Sequence, residues 1–196
     1  ISKVKIRKDK RGNSYLSVYF AGPIRAAGGT VAALIVFIAD FVRKRAKIPK
    51  FKPLPEEIDR YIEEIKLYDR QVHLQYPSSI EEIRFAAEHL PVEINGDTTG
   101  NGEVSAYRNL ERVETNQVRG GACLVLNDGI ILKAPKLLKI AKSMRISDWD
   151  WLGDLKKLSH KETSVNSLNE DIEEEEIASS GKYIADLLAG RPVFSH

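Results

Sequence analysis

The sequence predicts an α+β fold, with an N-terminal β-hairpin, a buried central helix, several further helices and a small, mostly antiparallel sheet. Three patterns carry this expectation. Leu16, Val18 and Phe20 alternate with Tyr15, Ser17 and Tyr19 just after a turn-rich break; the run VAALIVFIADFV is apolar on nearly every side; and Ile58, Tyr61, Ile62, Ile65, Tyr68 and Val72 recur at helical spacing.

In chain order, residues 4–8 and 15–20 read as two strands joined by the turn DKRGN. The second strand enters a glycine-rich loop. From Thr30 the apolar run predicts a helix buried in the middle of the fold, ending in Arg43, Lys44, Arg45 and Lys47, where positive charge suits a helix C-terminus. Pro49, Pro53 and Pro55 break the chain before an amphipathic helix over 56–72. Ser79 and Glu82 then stand at capping-box spacing and open a third helix carrying Ile83, Ala86, Ala87 and Leu90.

Residues 90–95 look like a strand, and GDTTGNG like a loop. Strands are expected over 104–107 and 113–118, followed by a hairpin in which 122–126 and 130–133 flank Asn127-Asp128-Gly129. Pro135 begins a basic helix to about Met144, and Ser147 another to about Leu158 that carries Trp149, Trp151, Leu152 and Leu155. Residues 159–181 lack aromatics and contain four consecutive Glu, so they are expected to be an acidic flexible linker. The predicted organisation is a globular domain over 1–158, that linker, and a short helix within 182–196 leading into a further domain.

Hydrophobic residues make up 42% of the 196 and charged residues 30%, the balance of a soluble globular chain. Its longest apolar run is too short to cross a bilayer, so no membrane partner is expected. There is neither a starting Met nor a signal-peptide pattern, which predicts an excerpt from a longer protein. The single cysteine, Cys123, can form no internal disulfide and no zinc site. A net charge of +2 does not by itself announce a nucleic-acid binder.

The strongest local feature is the loop from Gly22 to Thr30, GPIRAAGGT, between a strand and a helix. Two readings stand. Free backbone N–H groups at Gly28, Gly29 and Thr30, with the charge of Arg25, could bind a phosphate or contact nucleic acid. Equally, the two glycines could permit a sharp turn and close packing, with Thr30 capping the helix and Arg25 paired to a carboxylate. The spacing fits neither the P-loop nor the GxGxxG pattern. Arg119-Gly120-Gly121 poses the same choice: Arg119 could follow a nucleic-acid backbone, or sit at the rim of an ordinary turn. Asp148, Asp150 and Asp154 could suggest a metal site, but acidic residues in a first helical turn explain them more simply. No catalytic motif occurs, and these residues read as a binding or structural domain.

Three blocks, YLSVYFAGPIRAAGGTVAAL, AYRNLERVETNQVRGGACLVLNDGIILKAPK and KYIADLLAGRPVF, resemble the large subunit of the archaeal family D DNA polymerases near its N-terminus. The resemblance covers nearly the whole chain except the acidic stretch. It implies a cytoplasmic, two-subunit replicative DNA-directed DNA polymerase whose large subunit polymerises DNA and whose small subunit carries a proofreading exonuclease. Primer-template DNA, the small exonuclease subunit and, through the full subunit, the sliding clamp are the partners it implies. It also implies Mg2+ and structural zinc for the full subunit, held by residues outside this chain, with no cofactor and no catalytic residue here. This region is then left to brace the polymerase, to dock the small subunit or to contact DNA. The alternative is a stand-alone phosphate- or nucleotide-binding domain built on the loop from Gly22 to Thr30.

Overall fold

In the computed structural model, the described residues are 1–22, 29–100, 102–155 and 157–158. The chain divides into two units, Ile1–Lys156 and Lys157–His196, and all that follows concerns the first. The linker and the terminal helix expected over 159–181 and 182–196 lie outside the described residues.

The hairpin forms where the sequence predicts it, as β1 (Lys3–Lys8) and β2 (Ser14–Phe20), antiparallel with Val4 opposite Val18 and Ile6 opposite Leu16. Asp9 ties the turn. Its Oδ1 accepts the amides of Arg11 and Asn13 at 2.9 and 2.8 Å, while Gly12 takes a φ of +80° that other residues resist. A third strand, β3 (Glu93–Gly96), lies parallel to β2, pairing Val18 with Ile94, so the sheet is mixed. Such a parallel pair needs a crossover. It is made by α1 (Gly29–Arg45), α2 (Pro55–Val72) and α3 (Ile80–His89).

Local capping chemistry sets the helix starts. The Ser79 hydroxyl accepts the Glu82 amide at 3.2 Å and Glu82 Oε2 accepts the Ser79 amide at 2.9 Å, the reciprocal box expected from the sequence. Pro55 begins α2, where Glu57 Oε2 accepts the Leu54 amide at 2.8 Å.

β2 is central and buried on both faces. Leu16, Val18 and Phe20 point one way; Tyr15, Ser17 and Tyr19 point the other, beneath the segment 104–117 and Phe51, whose ring lies 5.2 Å from that of Tyr15. The Tyr19 hydroxyl donates to Glu114 at 3.0 Å. That bond satisfies the buried Tyr19 phenol.

Three expectations fail for physical reasons. Residues 104–107 and 113–118 form no strands: one bridge joins Glu103 to Gln117, with the Val104 amide donating to Asn116 O at 2.9 Å and the Val118 amide to Gly102 O at 3.0 Å, and α2 supplies further partners. Glu63 accepts the amides of Ser105, Ala106 and Tyr107 at 2.6–3.1 Å, and the Arg60 guanidinium donates to the carbonyls of Tyr107, Thr115 and Gln117. Side chains have replaced the ladder.

The hairpin expected at 122–133 is instead a helix, α4 (Gly120–Leu124), running directly into a π-helical segment, Val125–Ile131. A short unbroken apolar run suits a buried helix as well as a strand, and here long-range contacts decide. Asn127 leaves the turn role to accept the Ser78 amide at 2.9 Å and to donate to Tyr76 O at 3.2 Å. The chain continues into α5 (Ala134–Ser143), close to its expected span.

The third failure concerns α1. It packs inward through Ala33, Val36 and Phe37, the last against Trp149 at 4.1 Å between ring centroids. Trp149 donates to the buried Asp40 carboxylate at 3.0 Å. Yet the opposite flank of α1 is open: Val31, Ile38, Phe41 and Val42 are each at least half exposed. The helix is apolar all round, but only one side of it is covered within this unit.

Candidate functional site

Three places were marked by the sequence or are revealed by the fold: the strand-to-helix corner at 22–30, the arginine before α4, and the open flank of α1.

At the corner, Gly22 leaves β2 beside Thr99; a Cβ on Gly22 would stand 2.8 Å from Thr99 Cγ2. Gly29 opens α1, and a Cβ there would lie 2.3 Å from the carbonyl oxygen of Asp128. Gly129 faces back, 3.1 Å from the Gly29 oxygen by the same measure. Helix α1 therefore crosses the π-helical segment at paired glycines. This accounts for Gly29 by close packing, while Thr30 falls inside the first turn of α1 rather than before it. Arg25 and Gly28 lie outside the described residues.

Arg119 is 1% exposed, and its donors are spent inside the fold. Nε donates to both Glu64 oxygens at 3.1 Å, one terminal nitrogen to Glu64 at 2.7 Å and the other to Asn95 at 3.1 Å. Its guanidinium also lies 5.1 Å from the Tyr61 ring centre. Burial alone would lower the pKa of Arg119, but the charge and hydrogen bonds of Glu64 outweigh it and raise the value. Arg60, likewise buried, donates to the same Glu64 at 3.0 Å. In this arrangement Arg119 presents no guanidinium to a ligand outside the domain. The two glycines after it serve packing: a Cβ on Gly121 would meet the carbonyl oxygens of Phe20 and Ala21 at 2.5 Å.

Asp148 pairs with Lys44 at 2.8 Å, which holds its carboxyl below the usual range. No group of three or more metal-ligating side chains occurs among the described residues. The Cys123 thiol is fully buried, and burial pushes its pKa well up, so it is no nucleophile at neutral pH.

The flank of α1 was missed from sequence. Val31, Ile38, Phe41 and Val42 recur at helical spacing along one side of the helix. Beside them, Ile35 enters a shallow apolar cleft of about 100 Å³ with Ile1, Phe20 and Leu124. Ile1 is itself 56% exposed. A continuous apolar strip of this kind is the signature of a contact face. The missed signal was that the run is apolar over its whole circumference, more than one inward face needs.

An α+β domain with Arg60, Arg112 and Arg119 bound inside the fold and an apolar helix flank outside has the make-up of a part that fits against other protein. The chain matches, over residues 1–158, the family described as DNA polymerase II large subunit DP2, N-terminal, and belongs to it. Among similar proteins, the DNA polymerase II large subunits of Methanococcoides burtonii and Methanosarcina barkeri are 48% and 47% identical to it, each over 100% of this chain and 17% of their own length. That of Methanococcus maripaludis strain C5 is 46% identical over 100% of this chain and 18% of its own length. The chain thus spans less than a fifth of these relatives.

Proposed function

We propose that this chain is the N-terminal, non-catalytic region of the large subunit of an archaeal replicative DNA-directed DNA polymerase, and that it acts there as a scaffold docked through the open flank of α1. The observation carrying this reading is that flank: four large apolar side chains on one side of a well-formed helix, continuous with an apolar cleft. The occupant is the remainder of the large subunit, because the relatives carry more than four-fifths of their length beyond the part matched here. Polymerisation belongs to that remainder, together with its Mg2+ and zinc. The small exonuclease subunit, primer-template DNA and the sliding clamp are partners of the whole enzyme in the cytoplasm. Among the described residues no helix is long and apolar enough to cross a membrane.

The experiment is the double substitution Ile38→Asp, Phe41→Asp in the full-length large subunit, purified with the small subunit. The expected result is a lower Tm and faster proteolysis within the region matching residues 1–158 of this chain, with the small subunit retained. Loss of the small subunit at unchanged Tm would assign the flank to that partner instead. If stability, proteolysis and co-purification all match the wild type, the docking reading is wrong. The alternative, a stand-alone phosphate- or nucleotide-binding domain built on 22–30, has weaker support because Gly29 is committed to the crossing with Gly129.

A further inference from the structure

The open flank of α1 carries a finer pattern than exposure alone. Val31, Ile35, Ile38, Val42 and Arg45 follow one another at steps of four, three, four and three residues. That is the 3.5-residue repeat of a helix seam, in which a side chain from one helix enters a hole framed by four residues of another. Val31, Ile38, Val42 and Arg45 are exposed and Ile35 is half-buried, so the seam lies open over about 21 Å. Its holes are already framed, one by Val31, Leu34, Ile35 and Ile38, the next by Ile35, Ile38, Ala39 and Val42. Leu34 and Phe41 wall one side, and Ala39 leaves the other low, so a second helix axis can approach to about 8–10 Å. The inner face of α1, with Ala33, Val36, Phe37 and Asp40, is filled within this unit and does not compete for the seam.

Charge narrows the occupant. The one carboxylate of α1, Asp40, is buried and bound by Arg43 and Trp149, so the flank offers no acid. Arg45 closes the seam with its guanidinium 6.0 Å from the Phe41 ring centre, and it pairs with no carboxylate among the described residues. A second copy of α1 is a poor match: parallel pairing would set Arg45 against Arg45, and antiparallel pairing would set it against Val31. The complement is a helix that is apolar along its seam and acidic at one end.

We propose that the occupant of the flank is a single amphipathic α-helix from the remainder of the large subunit, lying along α1 at a crossing angle of about 20°, with a carboxylate facing Arg45. This rests on the docking reading and adds to it the shape and charge of the partner. A helix of about 14 residues spans the seam, and more than four-fifths of the relatives' length lies beyond the part matched here. The cleft of about 100 Å³ beside Ile35 takes one of its apolar side chains.

The test puts the photoreactive residue p-benzoylphenylalanine in place of Val31, Ile38 or Val42, one at a time, in the full-length large subunit purified with the small subunit. All three side chains are at least half exposed, so the replacement disturbs no packing within this unit. Mass spectrometry of the cross-linked peptides should place the three attachments in one continuous segment of the large subunit, in order along it and about seven and about four residues apart. Attachments in the large subunit that scatter over separate segments, or that recur at every second residue, would overturn the helix and leave the docking reading intact. Attachments in the small subunit or in a second copy would overturn both. No attachment from any position would overturn the helix, and the docking reading with it only if Ile38→Asp with Phe41→Asp also behaves as wild type. The charge is read separately. Arg45→Lys sets an amine at the end of the seam, and carbodiimide treatment should join it by an amide bond to an Asp or Glu of the same segment, a product that the wild-type arginine does not form. Its absence, or a bond to a different segment, would overturn the facing carboxylate.

Discussion

Helices α1 and α2 distribute their side chains in opposite senses. α2 is mostly polar in sequence, yet it buries Glu57, Arg60 and Glu64 beside Ile58, Tyr61, Ile65 and Tyr68. α1 is mostly apolar, yet it leaves Val31, Ile38, Phe41 and Val42 open. The difference lies in what each helix has to hold. α2 must supply hydrogen bonds to a segment, 104–117, whose own pairing is a single bridge, and charged side chains with several donors or acceptors can reach that many backbone groups. Among the described residues α1 holds no such segment on its outer side, which stays exposed.

The comparison can be broken most sharply at Glu64. Removing its carboxylate by Glu64→Ala leaves Arg60 and Arg119 buried without their shared partner, and such a loss costs about 3–5 kcal/mol. Denaturant unfolding of the 196-residue chain should show the midpoint fall accordingly; a change below about 1 kcal/mol would mean that the network contributes little.

On the inner side of α1, Gly29→Ala should destabilise by about 1–3 kcal/mol, although alanine is the better helix former, because its Cβ would collide with the Asp128 carbonyl. A stabilising result would show that the crossing has slack. On the outer side, Ile38→Asp with Phe41→Asp should shift the unfolding free energy of the same chain by no more than about 0.5 kcal/mol per site, the ordinary range for surface changes. Only in the full subunit should that variant lose stability, and equal losses in both would place the flank in the core of this unit.

The smallest effect concerns acid. Burial tends to raise the pKa of Glu63, but the amides of Ser105, Ala106 and Tyr107 outweigh it and hold the carboxyl below its ordinary 4.5. A carboxylate depressed on folding adds stability above its unfolded pKa, and that stability is lost as pH falls through the folded value. Glu63→Gln should therefore flatten the fall in stability below about pH 4.5, read from urea midpoints at several pH values.

What the sequence made legible was local. The hairpin, the Ser79 capping box, α2 and α5 follow from signals within a few residues of each other. What it hid depends on partners far along the chain. Strands at 104–107 and 113–118 fit the sequence, but Arg60 and Glu63 take many of their backbone bonds, and NDG fits a turn, but Asn127 reaches Ser78. One clue to the buried charges was present: Glu57, Arg60 and Glu64 share the helical face of Tyr61 and Tyr68. Arg119 offered no comparable sign, since its burial is set by Glu64 and Asn95 on separate elements.

The crossing of Gly29 over Gly129 also bears on how such a chain can change over generations. A side chain at 29 would collide with the Asp128 carbonyl and one at 129 would press on the Gly29 oxygen, so a larger residue at 29 would require the two helical segments to move apart. The course of α1, and with it the direction its outer flank faces, is thereby set by a residue that has no side chain.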